Sequence, residues 1–296
     1  MRKGFFFLLL VGGFLVTVCF LPAAPFAQAN GPIKIGFISP LSGGMAANGK
    51  DMLTGMELYL EEIGYQVAGR KIEFIVEDDE ANPAVGLTKT RKLVEKDGVH
   101  IMTGGLMAST AYALAPYIDS KEIPMTYPIM AADDITQRKI PKWIIRTGWA
   151  SSQPHQPFGD YAYNILKFRK ISVIAYDFAF GWECVGGFQK VFEDSGGKIL
   201  QKIWVPLTAQ DFSPYLAQIS KDADAVFAVF SGRLTMQFVK QYKEFGLKGK
   251  IPLIGGGTTT DEHALPSMGD EALDIITPLH YSEVLDNPAN KKFVKA

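Results

Sequence analysis

The sequence has few cysteines, few histidines and no excess of charge of either sign. Its 296 residues contain two Cys and four His, and the formal net charge at pH 7 is −1. Two cysteines cannot build the disulfide framework of a small secreted domain, and Cys184 is expected to be a packed apolar residue rather than a nucleophile. No His stands in a metal-ligand spacing such as H-E-x-x-H. The near-neutral charge argues against a nucleic-acid-binding protein, which needs a concentrated basic surface.

The sequence also lacks the motifs of nucleotide-binding and hydrolytic enzymes. A glycine-rich loop, Gly43–Gly49, follows a predicted strand, but it has neither the G-x-G-x-x-G nor the G-x-x-x-x-G-K-S/T spacing. A G-x-S-x-G nucleophile motif is absent as well. The acidic run Asp78–Glu80 is expected to cap a helix and face solvent rather than to act as acid and base or to bind Ca²⁺. We therefore expect no enzymatic activity, no metal and no cofactor; an enzyme built on a doubly wound fold is the alternative.

The N-terminal segment has the layout of a secretory signal peptide. Arg2–Lys3 forms a short basic start, Phe5–Leu21 is almost entirely apolar, and Ala27–Ala29 has the A-x-A pattern of a cleavage site. We predict that residues 1–29 are a signal peptide, cleaved after export of the protein to the periplasm. An uncleaved membrane anchor and a lipid attached to Cys19 are the alternatives.

The rest of the sequence alternates between strand-like and helix-like patterns. Short apolar and β-branched runs predict strands at Ile33–Ile38, Ile72–Val76, Val99–Thr103, Pro124–Tyr127, Trp143–Arg146, Ile171–Tyr176, Leu200–Val205, Ala225–Phe230, Pro252–Ile254 and Ile275–Thr277. Apolar residues at helical spacing predict helices at about Met52–Ile63, Ala84–Lys96, Ser109–Ser120, Phe158–Leu166 and Val185–Ser195, with two more that begin near Asp211 and Leu234. This alternation predicts parallel sheets with helices on both faces.

The same order of elements begins twice along the chain. We therefore predict an α/β fold with two doubly wound parallel-sheet lobes joined by a hinge. Lobe I is placed at residues 30–149 and lobe II at 150–279. The polar connection near Gly148–Gln153 is typical of a hinge between lobes that close on each other.

The segment Gly104–Thr110 is the strongest candidate for a binding site. It lies at the carboxyl end of a predicted strand and begins a helix, where free backbone N–H groups and the helix dipole favour an anion such as a carboxylate. The hydroxyls of Ser109 and Thr110 add further donors. In the alternative interpretation, Ser109 is only the helix N-cap.

Seven segments, in order and spacing, resemble the branched-chain-amino-acid-type periplasmic substrate-binding proteins of ABC importers. The segments are IGFISPLSGGMAANG, DDEANPAVG, DGVHIMTGGLMAST, ALAPYIDSKEIP, VIAYDFAFGWE, AQDFSPYLAQI and DAVFAVFSG. The resemblance runs from Ile33 to the end of the sequence. It implies the type I periplasmic-binding-protein fold, in which three crossovers join two lobes that close on a small ligand. It further implies a monomer that delivers this ligand to the permease subunits of an ABC transporter.

The resemblance also implies a chain that is incomplete at its C-terminus. Members of this family continue well past a segment like NPANKKFVKA and cross back to finish the first lobe. Residues 280–296 are therefore expected to be the start of the return crossover to lobe I.

The ligand-binding residues of the family fall on loops of both lobes. The resemblance places a carboxylate grip at the start of a helix, a hydroxyl-bearing loop after the next strand, a covering side chain in the first loop, and two aromatic walls and an ammonium-binding position in lobe II. In this sequence these positions are Asn48, Ala108, Ser109, Thr110, Ile129, Ala131, Phe180, Phe230, Gly257 and Thr258.

Two of these positions depart from the pattern of amino-acid binders. Ala131 lacks the hydroxyl, and Gly257 lacks the carboxylate that would pair with an α-ammonium group. We therefore predict a periplasmic solute-binding protein that captures a small apolar or aromatic carboxylate. A branched-chain or other amino acid is the alternative ligand, provided that another acid such as Glu183 or Asp261 reaches the cleft. The ligand-binding domain of a sensor is the alternative role.

Overall fold

The computed structural model describes residues 31–138, 140–262 and 264–296. The predicted signal peptide, residues 1–29, and the alternative lipid site Cys19 lie outside the described residues. Across the described ranges, no helix combines the length and the apolar composition that a membrane span requires.

The described residues alternate between strands and helices through most of their length. The strands are β1 (Ile33–Ser39), β2 (Gln66–Val67), β3 (Arg70–Asp78), β4 (Ile101–Gly104), β5 (Met125–Tyr127), β6 (Ile144–Arg146), β7 (Lys170–Tyr176), β8 (Lys198–Val205), β9 (Ala225–Val229) and β10 (Leu253–Gly255). The α-helices are α1 (Ala46–Glu62), α2 (Pro83–Arg91), α3 (Ala108–Lys121), α4 (Asp134–Gln137), α5 (His155–Asn164), α6 (Ala179–Asp194), α7 (Ser213–Leu216), α8 (Arg233–Glu244) and α9 (Pro288–Lys295).

These strands form two separate sheets, one in each lobe. The sheet of lobe I has the order β2-β3-β1-β4-β5-β6, and the sheet of lobe II has the order β10-β9-β7-β8. The pairs are parallel except β2 with β3, which are antiparallel because a two-residue turn joins them and both of its residues, Ala68 and Gly69, have positive φ. The predicted α/β fold with two parallel-sheet lobes is confirmed. In both sheets the strand order reverses around the first strand of the lobe, which places a crevice at the carboxyl ends of β1 and β7.

Both faces of the lobe II sheet are buried, as a doubly wound fold requires. On β9, Val226 and Ala228 pack into one apolar cluster, while Ala225, Phe227 and Val229 pack into another. Side chains of a strand point alternately to opposite faces, so a strand without polar residues needs cover on both sides. Helices α5 and α6 pack against each other in lobe II, and α2 packs against α3 in lobe I. Cys184 on α6 is fully buried, which confirms its prediction as a packed residue.

Several predicted elements differ in extent from the structure; α1, for example, begins at Ala46 rather than near Met52. The strand predicted at 275–277 is reduced to a single bridge between Ile254 and Ile276, since Pro278 has no N–H to continue the ladder. The helix predicted near Asp211 is only the four-residue α7. Helix α6 begins at Ala179 rather than near Val185, directly after the extended Phe178.

The prediction that the acidic run after β3 faces solvent is wrong for Asp79. This side chain is fully buried, because its backbone N–H still bonds to the carbonyl oxygen of Ser39 (3.1 Å) and keeps the chain inside lobe I. The adjacent Asp78 accepts hydrogen bonds from backbone N–H groups of the surrounding loops. The cap of α2 is the side chain of Asn82, which accepts from the N–H of Ala84 (2.9 Å).

A buried histidine makes the fold sensitive to acid. His155, 1% exposed, holds its Nδ1 2.6 Å from the carbonyl oxygen of Ser151, and burial lowers the pKa of the imidazole to about 4. Below pH 6.5 the unfolded chain binds a proton that the folded chain takes up only near pH 4. The contribution of His155 to stability should therefore fall as the pH drops through this window, by about 2 to 3 kcal/mol.

Urea unfolding at pH 7.5, 6 and 4.5 measures this loss against His155→Asn, which keeps a donor for the Ser151 carbonyl but cannot titrate. All other titrating groups are shared, so the difference in unfolding free energy between the two proteins isolates His155. A difference that stays constant with pH would contradict the prediction.

Candidate ligand-binding site

A pocket lies where the carboxyl ends of the two sheets face each other. Its volume is about 560 Å³, including the open mouth. Its lining residues come from both lobes and comprise Met45, Asn48, Leu106, Met107, Ala108, Ile129, Ala131, Ala132, Trp149, Phe178, Phe180, Ser231 and Thr258.

Every segment of this lining follows the carboxyl end of a strand. The loops after β1, β4, β5 and β6 supply the lobe I side, and those after β7, β9 and β10 supply the lobe II side. Parallel strands bring their carboxyl ends to one edge of a sheet, and ligands of doubly wound folds bind in the crevice outside that edge. The fold alone therefore explains why residues so distant in sequence share one pocket.

The pocket lining carries no ionisable side chain. Its polar groups are those of Asn48, Ser231 and Thr258, together with the indole N–H of Trp149. The Asn48 amide oxygen is buried and has no hydrogen-bond partner among the described residues. Such a lining accommodates an apolar body with a few polar contacts, and it offers no carboxylate for a ligand's ammonium group.

Aromatic rings form one wall of the pocket. Trp149 meets Phe180 edge to face, with ring centroids 6.2 Å apart, and Phe178 lies 6.2 Å from Phe180. On another side, the Trp149 ring stacks on His280 at 4.9 Å and an interplanar angle of 25°. Flat rings in edge and stacked arrangements suit a planar, aromatic ligand.

The start of α3 supplies hydrogen-bond donors at the edge of the pocket. Its N-cap residue, Met107, is extended and provides no side-chain capping bond. Gly104 and Gly105 have positive φ, and a Cβ on Gly104 would overlap the backbone of Ile38, so glycine is required where β4 turns into this loop. The first backbone N–H groups of α3 are left without a side-chain cap, and the helix dipole favours an anion there.

Six of the ten sequence-predicted residues line this pocket. They are Asn48, Ala108, Ile129, Ala131, Phe180 and Thr258. The pocket therefore brings together predicted positions from the loops after β1, β4, β5, β7 and β10.

The other four predicted residues lie outside the lining. Ser109 is exposed on the first turn of α3 and is not the N-cap, and Thr110 is buried beneath that turn. Phe230 is fully buried in the lobe II core, 4.6 Å from the ring of Phe238. A Cβ on Gly257 would overlap Leu279, and Gly257 borders a different cleft.

Seven lining residues were not among the ten predicted positions. They are Met45, Leu106, Met107, Ala132, Trp149, Phe178 and Ser231. Leu106 and Met107 lie within the predicted segment Gly104–Thr110. Two of the others carried a usable signal: Phe178 lies two residues before Phe180 in the same quoted segment, and Trp149 is an aromatic residue at the expected hinge. Ser231 follows the strand end at which Phe230 was selected.

The acids near the pocket are engaged in the protein itself. The Glu183 carboxylate on α6 accepts the backbone N–H of Asp133 in the opposite lobe (2.9 Å), and burial raises the pKa of Glu183. Arg146 donates to the carbonyl oxygens of Ala132 and Trp149, which fixes the backbone of the pocket wall. Neither Glu183 nor Asp261 is part of the lining; Asp261 borders the adjoining cleft between α1 and α8.

Known proteins share this architecture over most of the chain. The Leu/Ile/Val-binding protein homolog 6 of Brucella melitensis is 33% identical over 267 residues, which are 89% of this chain and 68% of that protein. An ABC transporter substrate-binding protein from Sphaerobacter thermophilus has 36% identity and a TM-score of 0.82, covering 89% of this chain and 73% of that one. A solute-binding protein of an ABC transporter from R. palustris, solved in complex with benzoate, has 32% identity and a TM-score of 0.84, covering 90% and 73%.

The match to a protein family is equally extensive. The family model described as "Periplasmic binding protein" matches residues 32–296. With its two lobes, its pocket between strand ends and this match over nearly all described residues, the chain belongs to the periplasmic binding protein family.

Proposed function

We propose that this protein is the periplasmic solute-binding component of an ABC importer and that it captures a small aromatic carboxylate. The observation that carries the proposal is the uncharged, aromatic-walled pocket that opens onto the start of α3. The ring of the ligand lies against Trp149 and Phe180. Its carboxylate accepts hydrogen bonds from the backbone N–H groups at Ala108 and the residues that follow.

The relatives support the class of function and differ on the ligand. One relative is named for leucine, isoleucine and valine, whereas one structural neighbour holds benzoate. An amino acid would bring an ammonium group into a pocket whose lining has no acid. A buried charge without a partner costs several kcal/mol, so the lining favours the benzoate-type ligand.

We also propose how the protein moves on binding its ligand and which subunits it then contacts. The chain acts as a monomer, residues 30–149 and 150–279 are the lobes that close on the ligand, and the loaded protein docks on the permease subunits. Contacts from both lobes to one ligand favour the closed state, because only a ligand with different affinities for the two states shifts the equilibrium between them.

Calorimetric titration with benzoate, benzamide and leucine tests the ligand class. We expect benzoate to bind at least about a hundredfold more tightly than leucine, which corresponds to roughly 2.7 kcal/mol. Benzamide has nearly the same shape without the charge, so its weaker binding measures what the carboxylate contributes. Leucine binding more tightly than every aromatic acid tested would refute the proposal and would show that an acid reaches the ligand's ammonium group.

A further inference from the structure

A group of buried polar atoms lies in lobe I, at the carboxyl ends of its strands. The atoms are Asp79 Oδ2, Thr110 Oγ1, Tyr127 Oη and Ser39 Oγ, and within the described residues none of them has a hydrogen-bond partner. All four side chains are at least 99% buried. Buried polar groups normally find partners, and those that do not call for an explanation.

Asp79 and Thr110 both pack against Gly86 of α2. A Cβ placed on Gly86 would lie 2.7 Å from Thr110 Cγ2 and 3.4 Å from Asp79 Cβ, so both side chains pack against the same point. Tyr127 lies at the end of β5, and its ring would be 2.6 Å from a Cβ on Gly105. The group therefore lies directly behind the loop that leads into α3.

The position of Thr110 links this group to the pocket. Thr110 is the third residue of α3, whose first residue, Ala108, lines the pocket. A ligand carboxylate at the start of α3 would have the Asp79 carboxyl on the other side of a single helical turn. Two anions close together in a buried setting repel each other strongly.

Among the described residues around Asp79, no cation offsets the charge of its carboxylate. Burial and the adjacent Asp78 raise the pKa of Asp79 to about 6, against the lowering effect of the hydrogen bond from the Ala81 N–H. On β5, the pKa of Tyr127 is raised by burial, so its hydroxyl stays neutral. The cations of α2 point elsewhere: Lys89 pairs with Glu77 at 2.8 Å, and Arg91 lies over the ring of Tyr117.

We propose that Asp79 takes up a proton from solvent when an anionic ligand binds at the start of α3, so that ligand capture is coupled to protonation. The protonated carboxyl carries no charge, which removes the repulsion between it and the carboxylate of the ligand. This coupling rests on the proposed function, because it requires a carboxylate in the pocket. As a consequence, the affinity of the protein for the ligand rises as the pH falls from 8 to 5.5.

Calorimetric titration of the full chain with benzoate tests the coupling directly. Repeating the titration in two buffers of different ionisation enthalpy counts the protons taken up. We expect an uptake of roughly half a proton per ligand near pH 6.5 and an affinity about three- to tenfold higher at pH 5.5 than at pH 8, as a bound-state pKa shift of up to one unit implies. The wild-type measurement is decisive by itself if a variant does not fold.

Two variants assign the proton. Asp79→Asn should bind benzoate with no proton uptake and with an affinity that is flat across the pH range. Glu183→Gln removes the other buried acid with a raised pKa near the pocket and should keep the uptake. Uptake that persists in Asp79→Asn, or that disappears in Glu183→Gln, overturns the assignment to Asp79.

The outcomes for the wild type separate the two proposals. Benzoate binding with flat affinity and no proton uptake overturns the coupling and leaves the proposed function standing. No binding of any aromatic acid at any pH between 5.5 and 8 overturns both.

Discussion

Ala108→Asp should weaken the binding of benzoate about a thousandfold. Ala108 is the first residue of α3 and lines the pocket. A carboxylate there would occupy the N–H groups that we assign to the ligand and would repel a second carboxylate. Two unit charges 4 Å apart repel by about 4 kcal/mol at an effective dielectric constant of 20. An acid in the first turn stabilises a helix by about 0.3 to 1 kcal/mol, but Ala108 also packs in the apolar core of lobe I. Urea unfolding of the variant should therefore accompany the titration.

Ala108→Asn is the matched control for this substitution. Its side chain has the same shape as that of aspartate and lacks the charge, so it reports the steric part of the effect. Calorimetry should place its affinity between those of the wild type and Ala108→Asp. Equal losses in both variants would show that the ligand's carboxylate does not lie at the start of α3.

Gly49→Ala should lower the free energy of unfolding by about 3 to 5 kcal/mol. Gly49 is buried on α1, and a Cβ at this position would overlap the carbonyl oxygen of Pro40. The new Cβ would be fixed to the helix backbone, and the oxygen belongs to the backbone of the loop. The helix and the loop after β1 would therefore have to separate. Overpacking of this kind costs about 1 to 3 kcal/mol where side chains can yield, and more where they cannot.

Gly55→Ala on the same helix is the matched control. A Cβ on Gly55 meets no atom within 4 Å and the residue is exposed. Replacing an exposed helical glycine by alanine should stabilise the protein by about 0.5 to 1 kcal/mol. Urea unfolding of the two variants should thus show changes of opposite sign. A small loss in Gly49→Ala would mean that α1 can move away from the loop at little cost.

The sequence predicted the sheets well where a strand is a nearly continuous apolar run, as in β7 and β9. In lobe II such a run buries side chains on both faces of the sheet, and strands buried on both faces belong to doubly wound folds. The start of α8 was predicted to within a residue, whereas α1 and α6 begin at Ala46 and Ala179, well before the predicted Met52 and Val185. The four-residue α7 and the single bridge at Ile276 carry too few residues to impose a period.

Individual pocket residues were harder to predict, because a side chain's direction changes at every residue of a strand. Phe230 and Ser231 are neighbours after β9, yet one is buried in the core and the other lines the pocket. A similar limit applies at Asp79. Its polarity predicted a solvated position, whereas the backbone bond to Ser39 holds it inside lobe I. Such directions depend on tertiary packing, which a local pattern does not contain.

The donors at the start of α3 are backbone groups, and this separates two kinds of evolutionary change. Substitutions leave a backbone N–H in place, apart from those to proline, so a carboxylate held in this way does not depend on the identity of any one side chain. The walls, by contrast, are side chains such as Trp149 and Phe180. If a carboxylate is held at the start of α3 as proposed, wall substitutions could change which carboxylic acid the protein binds without changing the groups that hold the acid.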